Sequence, residues 1–338
     1  MRLSIIIPGY NTPEKFWRRC LKSVLLACGA DDEIICVDDG SEIPAEANWL
    51  KDERGEMDSR VRLIRLNQNQ GLPTARNEAL KLATGRYVAF VDSDDEVLCG
   101  AYDKSIEMLE QTGNDIAIYG VRVIWTSNGY FKDDVLPTRN VGVMAAESLA
   151  SIYRACLFDY AWNKVYRRGF LEAQGLRFER DVRTGEDTVF NCMCVTAGAK
   201  WCTVGCIGSI YYRYDGSMLS RYVLNMRATH RRKLEARAAC RAYCPGVDEL
   251  LGGIVTVSER ELDLVEWRNM WKRCSPITFG ERWRYLCAHR ELCRHTPAID
   301  FAAQMVYTFF RMHCYWRPVR RWQVRRLFPN VKEWKARD

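Results

Sequence analysis

Apolar residues fall into two rhythms along the first 125 positions. Short, nearly continuous runs of Val, Ile, Leu and aromatic residues occupy residues 3–7, 34–37, 61–66, 87–91 and 116–125. Runs this continuous suit strands buried on both faces. Between them, apolar positions recur at helical spacing. Phe16, Leu21, Val24 and Leu25 predict a helix over 16–26. Residues 73–83 open with a proline at a first-turn position and stop at Thr84-Gly85. Leu98, Tyr102, Ile106 and Leu109 form a stripe. This β-α-β-α order predicts an α/β fold with a doubly wound, mostly parallel sheet, whose ligands sit beyond the carboxyl ends of the strands. Residues 126–215 are less regular: a strand pair, a helix near 145–156 and an aromatic strand over 210–214. From about residue 222 the pattern turns helical and rich in Arg and Trp. No run of about 18 apolar residues occurs, so no bilayer-spanning helix is expected.

The polar residues collect at the predicted strand ends: Pro8-Gly9-Tyr10-Asn11, Asp38-Asp39-Gly40-Ser41, Asn67 to Gly71, and Asp92-Ser93-Asp94-Asp95. Three carboxylates within four residues repel one another unless a cation lies between them, and Mg²⁺ or Mn²⁺ prefers such oxygen ligands together with substrate phosphates. A turn with a helix N-cap is the plainer alternative. Asp39 is placed to accept hydrogen bonds from a base or a ribose, and Tyr10 to stack on a nucleobase. Arg76, near a helix start, is placed to meet phosphates or to form a surface salt bridge. Neither a Gly-x-Gly-x-x-Gly turn nor a P-loop is present, which argues against a dinucleotide fold and against a P-loop nucleotidase.

With 338 residues, 48% hydrophobic and 28% charged, the chain has ample material for a core, which excludes a disordered or fibrous protein. The net charge of +7 is localised. Residues 311–338 hold nine Lys/Arg and two Asp/Glu, so the rest of the chain is formally neutral. Phe301, Met305, Phe309, Met312 and Trp316 precede this tail at helical spacing. The combination suits an anionic membrane surface or, equally, a helix packed on the domain with a solvated basic face; no nucleic-acid motif accompanies it. Fifteen cysteines at irregular spacing, behind a start without an apolar signal region, are expected to be reduced, buried thiols in a cytoplasmic chain. Cys192, Cys194, Cys202 and Cys206 are the one cluster worth testing as a zinc site.

Four segments together resemble the family 2 glycosyltransferases, inverting enzymes with the GT-A fold. They are Ser4-Ile5-Ile6-Ile7-Pro8-Gly9-Tyr10-Asn11, residues 33–41 ending in Val37-Asp38-Asp39-Gly40-Ser41, Asn69-Gln70-Gly71-Leu72-Pro73-Thr74-Ala75-Arg76-Asn77, and residues 83–95 ending in Phe90-Val91-Asp92-Ser93-Asp94-Asp95. Their order and spacing match over residues 2–125 and more loosely over 126–220. The departure is Gly9, where the family usually has Val or another small apolar residue; it is expected to be harmless. The resemblance implies that Pro8, Tyr10, Asp39, Arg76, Asp92 and Ser93 border a nucleotide-sugar. Asp92 and Asp94, with Asp95 as third member, would hold Mn²⁺ or Mg²⁺.

Gly185-Glu186-Asp187 precedes a further helix pattern. An acidic pair there is commonly an N-cap, but the resemblance implies the segment carrying the general base, with Asp187 favoured over Glu186. Trp162-Asn163-Lys164 and residues 212–217 resemble segments bordering the acceptor and donor pockets. The expected organisation is a catalytic domain over 1–220 (nucleotide-sugar half 1–125, acceptor half 126–220) and a helical, basic extension over 221–338. The expected activity is transfer of a hexosyl or N-acetylhexosaminyl group from a UDP-sugar to a hydroxyl of a surface glycan or lipid-linked sugar, on the inner face of the membrane. A nucleotidyltransferase and a catalytically inactive sugar-nucleotide- or glycan-binding module are the alternatives.

Overall fold

A computed structural model describes residues 1–51, 56–214 and 225–250, together with positions 262, 265, 266, 269, 270, 277 and 281. The chain divides into two compact units, Met1–Asp215 with Ala228–Thr256, and Gly216–Arg227 with Val257–Asp338. The expected membrane-binding tail and its aromatic stripe lie outside the described residues. Among those described, no helix is long and apolar enough to cross a membrane.

The first unit is built on one ten-stranded sheet. Strands β1 (Leu3–Gly9), β2 (Glu33–Asp38), β3 (Val61–Arg65) and β4 (Tyr87–Phe90) pair in parallel in the order β3-β2-β1-β4. Helices α1 (Glu14–Ala27) and α3 (Ala101–Thr112) cover one face, burying Trp17, Leu21, Val24, Tyr102 and Leu109 against Leu3, Ile5, Ile7 and Ile34. Helix α2 (Leu72–Leu82) covers the other. There Ala75, Ala79 and Leu80 join Ile6, Ile35 and Val37 in a core shared with α4 (Ala146–Arg154) and α6 (Glu186–Thr196). Alternate residues of β1 thus face opposite cores, which is why its sequence carries no polar alternation.

Beyond β4 the pairing becomes mixed. β6 (Ile116–Trp125) does not lie beside β4. β9 (Lys164–Arg167), which leads into α5 (Arg168–Ala173), inserts between them, antiparallel to both. β10 (Lys200–Arg213) runs parallel to β6. β5 (Glu96–Val97) and β8 (Arg139–Val143) pair antiparallel with β10, and β7 (Phe131–Asp134) with β6. The aromatic strand expected at 210–214 is the end of the 14-residue β10. Register shifts between Val204 and Ile207 and between Ile207 and Ser209 interrupt its pairing with β6.

Gly9 has a specific reason. A Cβ there would lie 2.4 Å from Trp17 Cζ2 and 2.9 Å from Ser93 Oγ. The Trp17 ring, 2% exposed, fills the space that a side chain at position 9 would need. Gly9→Val is therefore expected to destabilise the unit by about 1–3 kcal/mol, a fall of several degrees in thermal midpoint. The double variant Gly9→Val/Trp17→Leu should recover part of that loss; strictly additive losses in thermal melts would refute the steric pairing.

The described cysteines are all free thiols. Cys192 and Cys194 lie on α6, and Cys202 and Cys206 on β10. No group of three or more His, Cys, Asp or Glu side chains among the described residues is arranged to hold a metal.

Candidate active site

The carboxyl ends of β1, β2 and β4 share one edge, because Gly9 pairs with Asp38 and the amide of Val91 bonds Ile6 O at 2.9 Å. The loops after β2 and β3 then interlock. Gly40 has φ +67°, and a Cβ there would fall 2.4 Å from the Gln68 carbonyl carbon, so only glycine lets the two backbones approach. This approach lets Asp39 accept from the amides of Gln70 (2.9 Å) and Gly71 (2.8 Å). Burial raises the Asp39 pKa, and these two amides oppose the rise. Asp38 caps its own loop, accepting from the amides of Ser41 and Ala45 at 2.9 and 3.0 Å. Asp39 thereby fixes Gly71, the N-cap of α2, and α2 in turn places Arg76.

Arg76 is fully buried. It is neither a surface ion pair nor open to a phosphate. Nη2 donates to Asp92 Oδ1 at 2.9 Å, while Nη1 donates to Asp187 Oδ1 and, at 3.2 Å, to Glu186 Oε1. The guanidinium also lies 5.1 Å from the Phe178 ring centroid and 5.8 Å from that of Phe90. One buried cation faces three carboxylates, of which Asp92 is the most exposed, at 29%. Burial pushes the Asp92 pKa up to about 6, with Arg76 opposing and Asp187 and Asp94 adding to the rise. Burial and the neighbouring Asp187 raise the Glu186 pKa, with Arg76 opposing the rise.

Asp187 stands in the first turn of α6, where the helix dipole favours a carboxylate. Its Oδ2 accepts from the amide of Ala161 at 2.9 Å. That amide is presented by a loop whose carbonyls are pinned from below. Lys164 Nζ, fully buried, donates to the carbonyls of Leu157 (3.0 Å), Phe158 (3.2 Å) and Tyr160, and to Asn163 Oδ1 (2.8 Å). Asn191 Nδ2 reaches the carbonyls of Phe158 and Tyr160 at 2.7 and 3.0 Å. Burial lowers the Lys164 pKa to about 7, opposed by Asp187 and Asp159. The lysine of Trp162-Asn163-Lys164 is thus a loop fastener behind the acidic site, a role its sequence context did not disclose.

The Asp92–Asp95 loop closes as a turn, with the amide of Asp95 on Asp92 O at 3.0 Å. Its three carboxylates separate. Asp95 turns inward: Oδ1 accepts from the amide of Tyr212 at 2.9 Å, while Oδ2 is buried without a hydrogen-bond partner. Burial and the neighbouring Asp94 and Asp92 raise its pKa well above the usual range, opposed by the Tyr212 amide, and through that amide Asp95 ties β5's approach to β10. Asp94 stays half-buried at the loop face with Arg19 nearby. Asp94 and the Arg76-bound Asp92 retain the hard oxygen chemistry that Mg²⁺ or Mn²⁺ takes beside a diphosphate.

At the other side of the edge, Tyr10 is 44% exposed. Pro8 lies within buried β1, and Ser93 Oγ is 2.8 Å from Thr12 Oγ1. Tyr160 and Tyr211 were not singled out from the sequence; their rings lie 6.2 Å apart, and Trp162 is 4.5 Å from the first and 5.4 Å from the second.

Residues 4–175 match the sequence profile of the family described as Glycosyl transferase family 2. The uncharacterized glycosyltransferase EpsJ of Bacillus subtilis (strain 168) is 33% identical over 191 residues, 56% of this chain and 54% of that protein. The poly(ribitol-phosphate) beta-glucosyltransferase of Bacillus spizizenii is 29% identical over 224 residues, 65% of this chain and 34% of its own length. The chain spans about half the length of curated relatives such as EpsJ. Among solved structures, Staphylococcus aureus TarS 1–349 in complex with UDP-GlcNAc superposes with a TM-score of 0.58 at 16% identity, covering 92% of this chain and 87% of that one. Its complex with UDP gives 0.56 at 17% identity, covering 91% and 79%. At these identities the likeness is one of fold.

Proposed function

This chain belongs to glycosyl transferase family 2 and has the GT-A fold, and from that premise we propose that it is an inverting glycosyltransferase moving a hexosyl or N-acetylhexosaminyl group from a UDP-sugar to a hydroxyl of a surface-glycan or lipid-linked acceptor. The observation that carries the reading is the double grip of Arg76, which holds Asp92 of the donor loop through Nη2 and Asp187 of α6 through Nη1. A donor-side carboxylate and a second carboxylate on a different element are thereby fixed at one place, as single displacement at an anomeric carbon needs.

In this reading Asp187 takes the proton of the acceptor hydroxyl as that oxygen bonds to the anomeric carbon, and the bond from that carbon to the diphosphate breaks on the opposite face. Arg76 and the Ala161 amide orient Asp187. Tyr10 stacks on the base, and Asp39 organises the loop beneath it. Asp94 and Asp92 would hold Mn²⁺ or Mg²⁺, which when bound offsets charge on the leaving diphosphate. The UDP choice draws support from the TarS complexes with UDP and UDP-GlcNAc. The glycan acceptor draws support from the poly(ribitol-phosphate) beta-glucosyltransferase. Attachment of the tail to an anionic membrane belongs to the same proposal and is supported by the charge of residues 311–338.

The test is a screen of nucleotide-sugars for nucleotide release, with Mn²⁺ and a lipid-linked sugar acceptor, paired with calorimetry of UDP binding. Release is expected with a UDP-sugar. Asp94→Ala is expected to lose Mn²⁺-dependent UDP binding while its circular dichroism stays unchanged. Unaltered UDP affinity in that variant would remove Asp94 from the site. UDP binding without turnover of any donor would make the chain a binding module.

A further inference from the structure

One face of α1 grips the donor loop along its length. Arg19 Nη2 donates to the main-chain carbonyl of Asp94, Cys20 Sγ lies 3.5 Å from Asp92 O, and Ser23 Oγ accepts from the amide of Val97 at 3.0 Å. Cys20 and Ser23 are buried and end at the loop. Arg19 reaches further. The same Nη2 donates to Tyr214 Oη at 2.8 Å, and Nε lies 3.1 Å from Glu96 Oε1. The guanidinium sits 3.8 Å from the Tyr212 ring centroid and 5.2 Å from that of Phe16. Its partners are tied to one another in turn. Tyr212 Oη donates to Glu96 Oε1 at 2.6 Å, the Tyr212 amide holds Asp95 Oδ1 at 2.9 Å, and the Tyr214 ring lies 5.0 Å from Phe16.

Arg19 therefore joins α1, the donor loop and the end of β10 at one point. A planar guanidinium can serve two acceptors and lie over a ring at once, which an ammonium cannot. Its contact with Asp94 is to the main-chain carbonyl, so the backbone of the loop is held while the carboxylate is left for other work. The sign of the charge matters as well. Through space, a cation beside Asp94 disfavours a divalent metal there. A side chain that fixes the ligand's backbone acts in the opposite sense, because partners behind a ligand set its orientation.

We propose that Arg19 is a positioning residue of the donor loop: by holding the Asp94 carbonyl against Tyr212 and Tyr214 at the end of β10, it fixes where the Asp94 carboxylate is presented to Mn²⁺ or Mg²⁺. This rests on the glycosyltransferase reading and adds to it a residue that lies outside the four segments carrying the family resemblance.

The test is calorimetry of UDP binding to the full chain, in EDTA and again with saturating Mn²⁺. The ratio of the two affinities is the gain from metal. Arg19→Gln is expected to reduce that gain at least about tenfold while leaving the affinity in EDTA unchanged. Tyr214→Phe removes only the hydroxyl that Nη2 meets, and should reduce the gain about two- to tenfold. The proposal is overturned if Arg19→Gln keeps the gain or raises it, the result that charge alone would produce. It is also overturned if Arg19→Gln loses UDP affinity equally in EDTA, which would make Arg19 a direct nucleotide contact. Should Arg19→Gln lose the circular dichroism of the parent, Tyr214→Phe decides, and an unchanged gain in that variant overturns the proposal. A parent that binds UDP without any gain from Mn²⁺ overturns it too, since Asp94 would then meet no metal. A parent that binds no UDP in either condition refutes the glycosyltransferase reading itself.

Discussion

Arg76→Met is expected to lower turnover by at least about a thousandfold and to destabilise the first unit by about 3–5 kcal/mol, the range for removing one partner from a buried ionic cluster. The side chain that replaces the guanidinium would be apolar and similar in length, so the loss would come from charge rather than from a void. Asp92, Glu186 and Asp187 would be left together in a buried site without their cation. Their mutual repulsion would then go unopposed, and Asp187 would lose the donor that aims it. Arg76→Lys separates the two effects. An ammonium keeps the charge but cannot present Nη1 and Nη2 to Asp187 and Asp92 at once. Its thermal midpoint should lie closer to that of the parent, while turnover should remain low. Steady-state kinetics beside thermal melts decides the matter: near-normal turnover in Arg76→Lys would show that the double grip is not needed.

Asp187→Asn is expected to lower kcat by about 10²–10⁴ with UDP binding retained. The amide oxygen of Asn can still accept from Ala161, so the loop should hold its place and the defect should be chemical. Glu186→Gln is the matched control. Burial and Asp187 already keep the Glu186 carboxyl inclined to hold its proton, and glutamine imitates that neutral form, so turnover should change little. The pH dependence of stability gives a second readout. A carboxyl with a raised folded pKa contributes stability that is full below its unfolded value, near 4.5, and is lost as pH rises through the folded value. Glu186→Gln should therefore soften the fall in stability toward neutral pH. If Asp187→Asn turns over normally and Glu186→Gln does not, the base is Glu186.

The local pattern was sufficient wherever structure follows from neighbours in sequence. Both faces of β1, β2 and β4 are covered, so each is a nearly continuous apolar run, whereas β3 keeps Arg62 and Arg65 exposed; the polar loops at the strands' carboxyl ends could be located before any coordinates. The acidic loop, the helix start carrying Glu186 and Asp187, and the exposed Tyr10 followed from the same reading. The pairing of distant segments did not follow. β9 inserts between β4 and β6 because of a contact between residues 87–89 and 165–167, which no periodicity encodes. Arg76 is 111 positions from Asp187. As a charged residue near a helix start it pointed toward phosphate, and only the packed core shows it facing three carboxylates.

Gly9 read as a harmless exception until Trp17 was placed against it. Asp95 stood beside Asp92 and Asp94 in the sequence, and only the placement of β10 shows its partner, the Tyr212 amide. Sequence by itself determined which residue types stand at the sheet edge, because strand and turn chemistry act over a few residues. Only the tertiary structure decided which of those carboxylates meet a cation, an amide or the loop face, because ion pairs and desolvation depend on distance through space.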